Sequence, residues 1–181
     1  DLSASAPWSV DAVAAAGRRT GRRARLHLKI DTGLGRGGAS AAGWGDLLDA
    51  ARRAEAAGDV EIVGIWSHLA CADEPDLVVT RQQCAAFEEA LAVAAARGIE
   101  PEVRHIGSSG AALQAPESHY DMVRCGISIY GLSPGVPMGT SADLGLRPAM
   151  TVTAEVANVK QVPAGQGVSY GLRYHTAGPS T

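Results

Sequence analysis

Aromatic side chains make up only 4% of the 181 residues, lysine occurs twice, as Lys29 and Lys160, and cysteine three times, as Cys71, Cys84 and Cys125. So few rings leave helix packing to alanine and other small residues. An odd number of cysteines without C-x-x-C spacing provides no disulfide framework, and a reduced, cytoplasmic protein is the expectation. No apolar run approaches the roughly 20 residues that cross a bilayer, so no membrane partner is expected. The opening Asp1-Leu2-Ser3-Ala4 has neither an initiator methionine nor signal-peptide character, and the chain reads as an internal piece of something longer. A net charge of -3 excludes bulk attraction to nucleic acid. The local exception is Arg18, Arg19, Arg22, Arg23 and Arg25, read as solvated arginines at the end of a helix, where they offset its dipole.

With 46% hydrophobic and 19% charged residues the chain has the balance of a globular protein with one ordinary core. Helical spacing predicts helices over Val10 to Arg19, around Trp44, Leu47, Leu48, Ala51 and Ala54, and over Leu77 to Ala96. Short apolar or alternating runs predict strands at Ala24 to Ile30, Val60 to Trp66, Val103 to Ile106 and Met122 to Cys125. Each strand ends in Gly, Ser, His or Arg, which implies parallel βα units with functional residues at the strands' C-terminal ends. After Pro148 the texture changes: Met150 to Val162 alternates without a following helix, and a β-rich domain is expected to begin there.

The loop Gly33-Leu34-Gly35-Arg36-Gly37-Gly38 fits G-x-G-x-x-G after a strand. A dinucleotide site would need an acidic residue roughly 20 positions on, at the end of the next strand, but that strand ends in Ser67-His68. A plain turn is the other local reading. Taken with its neighbours, His27-Leu28-Lys29-Ile30-Asp31-Thr32-Gly33-Leu34-Gly35-Arg36 resembles the "HLKxDTGMGR" segment of alanine racemases. Ser67-His68-Leu69-Ala70-Cys71-Ala72-Asp73-Glu74 resembles their "THFAxADE", and Val123 to Pro134 their "VRPGIxLYGLSP". Gly167-Val168-Ser169-Tyr170-Gly171 continues the order, so four motifs fall in register from Ala24 to Thr181. The sequence departs from the family at Gly107-Ser108, where Ala-Asn is usual, and at Cys125.

The resemblance implies a cofactor, pyridoxal 5'-phosphate (PLP), and a role for each matching position. Arg124 corresponds to the arginine facing the pyridine nitrogen, with His105 beside it. Ser109 and the amides of Gly126 and Ile127 correspond to the phosphate cradle, a set of hydroxyl and N–H donors suited to a dianion. Arg36 corresponds to the arginine that binds the substrate carboxylate and the cofactor's phenolic oxygen, and Lys29 to a lysine that many members carry as a carbamate. Tyr170 corresponds to the base that removes the α-proton of L-alanine, acting across a subunit interface, with His68 beside it. No metal is implied.

The implied fold is the latter half of a (β/α)8 barrel over residues 1–146, with the first strands of a C-terminal β-domain over 147–181. The implied activity is interconversion of L- and D-alanine for peptidoglycan by a head-to-tail homodimer. A racemase for serine or another small amino acid, and a non-catalytic PLP-binding barrel, are the alternatives. Neither lysine lies in a segment resembling the one that carries the cofactor's Schiff base. A barrel of about 250 residues then places that lysine among on the order of 100 residues upstream, and the chain by itself is expected to be inactive.

Overall fold

The first unit of the structure, Asp1–Ala149, is organised by a parallel sheet of four strands that lie side by side in chain order. Its strands are β1 (Leu2–Ala4), β2 (Ala24–Lys29), β3 (Val60–Trp66) and β4 (Val103–His105), in a computed structural model that describes all of residues 1–181. Three helices connect them, α1 (Pro7–Thr20), α2 (Ala41–Ala56) and α3 (Val78–Ala95), and a short fourth, α4 (Ser109–Gln114), follows β4. Strand alternation decides which face the helices cover. Leu26 and Leu28 of β2 are fully buried with Trp44, Leu47 and Leu48 of α2 and Phe87 of α3, while His27 and Lys29 point to the other face. The Trp44 indole donates to the Ala90 carbonyl at 2.9 Å, fixing α2 against α3. Consecutive parallel strands joined by helices are the repeating unit of an α/β barrel, and the unit is a segment of one.

Most elements follow the sequence pattern, β3 from its first residue to its last. Pro7 occupies the first turn of α1, and the Ser9 hydroxyl accepts the Ser5 and Ala6 amides at 3.2 Å each, so this helix begins three residues before the predicted Val10. Two expectations fail, and one strand was not foreseen. Leu2–Ala4 is a strand, because Leu2, Ser3 and Ala4 pair in parallel with Leu26, His27 and Leu28. Met122 to Cys125 is not a strand: only one bridge forms, between Ser108 and Arg124. Met150 to Val162 has no strand either, although its residues alternate. A strand is held by cross-strand bonds and a face to pack on, and Met150, Val152, Val156 and Val159 are all exposed.

The second unit, Met150–Thr181, contains a two-stranded antiparallel sheet, β5 (Gly167–Val168) and β6 (Tyr174–His175), with a bridge between Val162 and Ser180. Two members of the arginine cluster pair with neighbouring acids: Arg18 with Asp59, and Arg25 with Glu102 at 2.8 Å. No helix is long and apolar enough to cross a membrane.

Candidate active site

Sheet register gathers the polar residues. Lys29 pairs with Trp66 and Trp66 with His105, so three strands end in one row. Trp66 holds the row together: its ring stacks on His105 with centroids 5.6 Å apart, Lys29 Nζ lies 4.4 Å and the Arg124 guanidinium 4.8 Å from its centroid, and its indole N–H donates to Ser3 Oγ at 2.8 Å.

Arg124 reaches this row from the loop after α4. Its Nη1 lies 2.8 Å from His105 Nδ1, and its Nη2 lies 3.0 Å from His68 Nδ1 and 2.9 Å from the Ser67 carbonyl. A guanidinium only donates, so both imidazoles accept at Nδ1 and carry their protons on Nε2. For His105 the chain continues: Nε2–H donates to His27 Nδ1 at 3.0 Å, and His27 Nε2–H points to the Asp1 carboxylate at 3.3 Å. Burial, then the Arg124 charge, then His27, push His105 down to about 4; burial, Arg124, Arg36 and Lys29 lower His68. Both histidines are therefore neutral at pH 7. Burial also lowers Arg124 from its ordinary value, yet guanidinium stays charged at any working pH.

The His105 shift has a stability consequence. The unfolded chain takes up this proton near the ordinary 6.5 and the folded protein only near about 4, so stability present above 6.5 is lost as pH falls between those values. The melting temperature of the intact protein is expected to fall across that window, and His105→Gln should flatten the fall. An equal slope in the variant would assign the loss to other groups.

Gly64 makes room for the histidine chain. A Cβ there would overlap the His27 ring, which lies directly over it. Gly64→Ala is expected to push His27 off His105 and to cost about 1–3 kcal/mol, as overpacking does, read as a lowered melting temperature; an unchanged value would mean that the ring has another place to go.

The glycine loop after β2 is built on Asp31, whose Oδ1 accepts the amides of Gly33 at 2.9 Å and Gly35 at 3.1 Å. Burial works to raise this carboxyl, but the loop amides and Lys29 outweigh it and the net shift is downward. Those amides are spent on Asp31, so the loop offers no dinucleotide cradle, and its product is an exposed Arg36 at a cavity mouth. Lys29 is lowered by burial, then by Arg36 and Arg124, with Asp31 opposing.

Beyond Arg124, the Ser109 hydroxyl accepts the Gly126 amide at 2.9 Å and, more weakly, the Ser128 amide at 3.4 Å. Gly126 is thus tied to Ser109, with its α-carbon facing open space where a Cβ would meet nothing within 4 Å. A cavity of about 390 Å³ brings together Arg36, His68, Ser109, Arg124, Gly126 and Ile127, with Asp73 as its one carboxylate. A larger recess of about 690 Å³ in the second unit carries Lys160 and Tyr174 but no grouped arginine and histidine. The two arginines and the histidine line the smaller one. Tyr170 belongs to the second unit, where its side chain is fully exposed.

The profile of the family described as "Alanine racemase, N-terminal domain" matches residues 1–134. The chain belongs to the alanine racemase family. It is 52% identical over 181 residues to an alanine racemase of Frankia casuarinae and 52% identical over 182 residues to one of Streptomyces coelicolor, with all of the chain aligned to 47% and 46% of those proteins. The crystal structure of alanine racemase from D-cycloserine-producing Streptomyces lavendulae superposes with a TM-score of 0.94 at 53% identity, over 99% of this chain and 47% of that one. The Bacillus anthracis alanine racemase with bound L-Ala-P superposes with a TM-score of 0.80 at 30% identity, over 98% of this chain and 45% of that one. The chain thus spans about half the length of its alanine racemase relatives. Trp66, His27 and Gln83 were given no role by sequence reasoning. The signals were present: Trp66 adjoins Ser67-His68, and Gln83 is a polar residue on the face of α3 that also carries Phe87.

Proposed function

We propose that the intact protein interconverts L- and D-alanine with PLP held in this cavity. The observation that carries the reading is Arg124, a permanent cation fixed between two neutral histidines at a cavity also lined by the hydrogen-bonded pair Ser109 and Gly126. The residues fit the cofactor: the Ser109 hydroxyl, which accepts the Gly126 amide and keeps its own proton to donate, would take its phosphate with the Ile127 amide and with the Gly126 amide once that is released from Ser109, and Arg124 would face its ring nitrogen. Two arginines against one carboxylate suit a polyanion. When bound, PLP delocalises the charge left on the alanine α-carbon once its proton is removed.

The chain's own residues supply the rest. Arg36 presents a planar fork to the substrate carboxylate and orients the α-carbon. Arg124 cannot yield a proton and so keeps the ring nitrogen unprotonated, while His105 and His68, accepting at Nδ1, keep the guanidinium in place. The Tyr170 oxygen exchanges the proton on the L face, presented by the C-terminal domain of a partner subunit in a head-to-tail homodimer. Lys29 is the carbamate: its lowered pKa favours the neutral amine that adds to CO2 with loss of a proton, giving an anion beside Arg36 and Arg124.

The test is D-alanine formation from L-alanine by the full-length protein, with and without PLP. PLP binding without turnover would make it a non-catalytic barrel, and faster turnover of L-serine a serine racemase.

A further inference from the structure

Gln83 sits on the buried face of α3 and is 3% exposed. A buried amide is costly unless its polar atoms find partners, and those of Gln83 lie on two loops. Its Oε1 accepts the Ala70 amide at 2.8 Å, and its Nε2 donates to the His68 carbonyl at 3.2 Å and to Thr32 Oγ1 at 3.4 Å. With Thr32 accepting, the hydroxyls run in one direction: Thr32 donates to Ser67 Oγ at 2.8 Å and Ser67 to the Ile30 carbonyl at 2.7 Å. The Gly33 turn packs on the same side chain, since a Cβ there would meet Gln83 Cγ at 3.6 Å.

One helix residue therefore fastens the loop leading to Arg36 onto the loop carrying His68, whose neighbour Ser67 offers its carbonyl to Arg124. We infer that Gln83 is a positioning residue for racemisation, setting the spacing between Arg36 on one side of the cavity and the His68–Arg124 pair on the other. The inference rests on the racemase reading proposed above. Gln83 touches no reacting atom; it acts through Thr32, His68 and Ala70.

Gln83→Glu in the full-length enzyme separates positioning from simple core support. A protonated glutamate keeps one donor and one acceptor, whereas the carboxylate has no donor and faces the His68 carbonyl. Burial raises such a carboxyl toward the assay range, so the variant should work best at low pH. The ratio of its kcat/KM to that of the wild type is expected to fall by roughly tenfold or more from about pH 6 to pH 9, mainly through KM for alanine, because small displacements of orienting groups are costly. Assays run well below each protein's melting temperature. A flat ratio, whether near one or uniformly low, would overturn the inference.

Should Gln83→Glu not fold, Thr32→Val breaks the same link at the loop, and an unchanged KM there would overturn it equally. Amide hydrogen exchange needs no turnover: both loops, residues 31–36 and 67–71, should exchange faster in either variant, and unchanged protection refutes the linkage. A wild type that makes no D-alanine would sink the racemase reading alone, leaving the exchange result to decide whether Gln83 ties the two loops.

Discussion

Tyr170→Phe in the full-length enzyme is expected to lower racemisation by about 10²–10⁴-fold, the range of a lost general base, with the defect falling on one enantiomer. α-Proton exchange from L-alanine should collapse while exchange from D-alanine survives. This residue is chosen on the motif Gly167-Val168-Ser169-Tyr170-Gly171. Its side chain is fully exposed, and the backbone on either side is held in the left-handed region, with φ of 59° at Ser169 and 45° at Leu172. Such conformations cost of order 1–3 kcal/mol each and persist only where the surrounding structure holds them. Solvent-exchange rates measured separately from L- and D-alanine decide the matter, and a symmetric loss would assign Tyr170 to orientation of the substrate.

Arg124→Glu should change the products as well as the rate. A carboxylate opposite the ring nitrogen would raise that nitrogen's pKa and favour transamination, in which water would release pyruvate and the amino group would stay on the cofactor. Racemisation is expected to drop by about 10²–10³-fold, the scale of a lost electrostatic partner, and pyruvate per racemisation to rise. The same substitution removes the donor to His105 Nδ1, His68 Nδ1 and the Ser67 carbonyl, so a rate loss alone is ambiguous. Arg124→Lys is the control: it keeps a charge and loses the fork, and should lose rate without gaining pyruvate. Equal pyruvate partition in wild type and both variants would show that Arg124 does not face the ring nitrogen.

Much of this architecture is local information. Val60 to Trp66 could be read as β3 because its apolar run is bounded by Gly58-Asp59 and Ser67-His68, and α2 because Trp44, Leu47, Leu48 and Ala51 return to one helical face. The candidate site residues were picked out through four motifs in a fixed order, except His105 and Ser109, which lie between them. The structure gathers Arg36, His68, Ser109, Arg124, Gly126 and Ile127 around one cavity, and places Lys29 and His105 in the adjoining strand-end row.

What the sequence determined by itself is therefore the succession of strands and helices in the first unit, the loops that end them, and the family. The tertiary structure decided which segments with strand-like or unremarkable patterns pair. Leu2–Ala4 became a strand because β2 offered it an edge, Met122 to Cys125 kept a single bridge, and Met150 to Val162 kept only the one at Val162. It also decided which polar residues meet: Gln83 reaches Thr32 across 51 positions and His105 reaches His27 across 78. Periodicity is a property of neighbours along the chain, whereas a hydrogen bond or strand pairing belongs to two segments whose separation only folding removes.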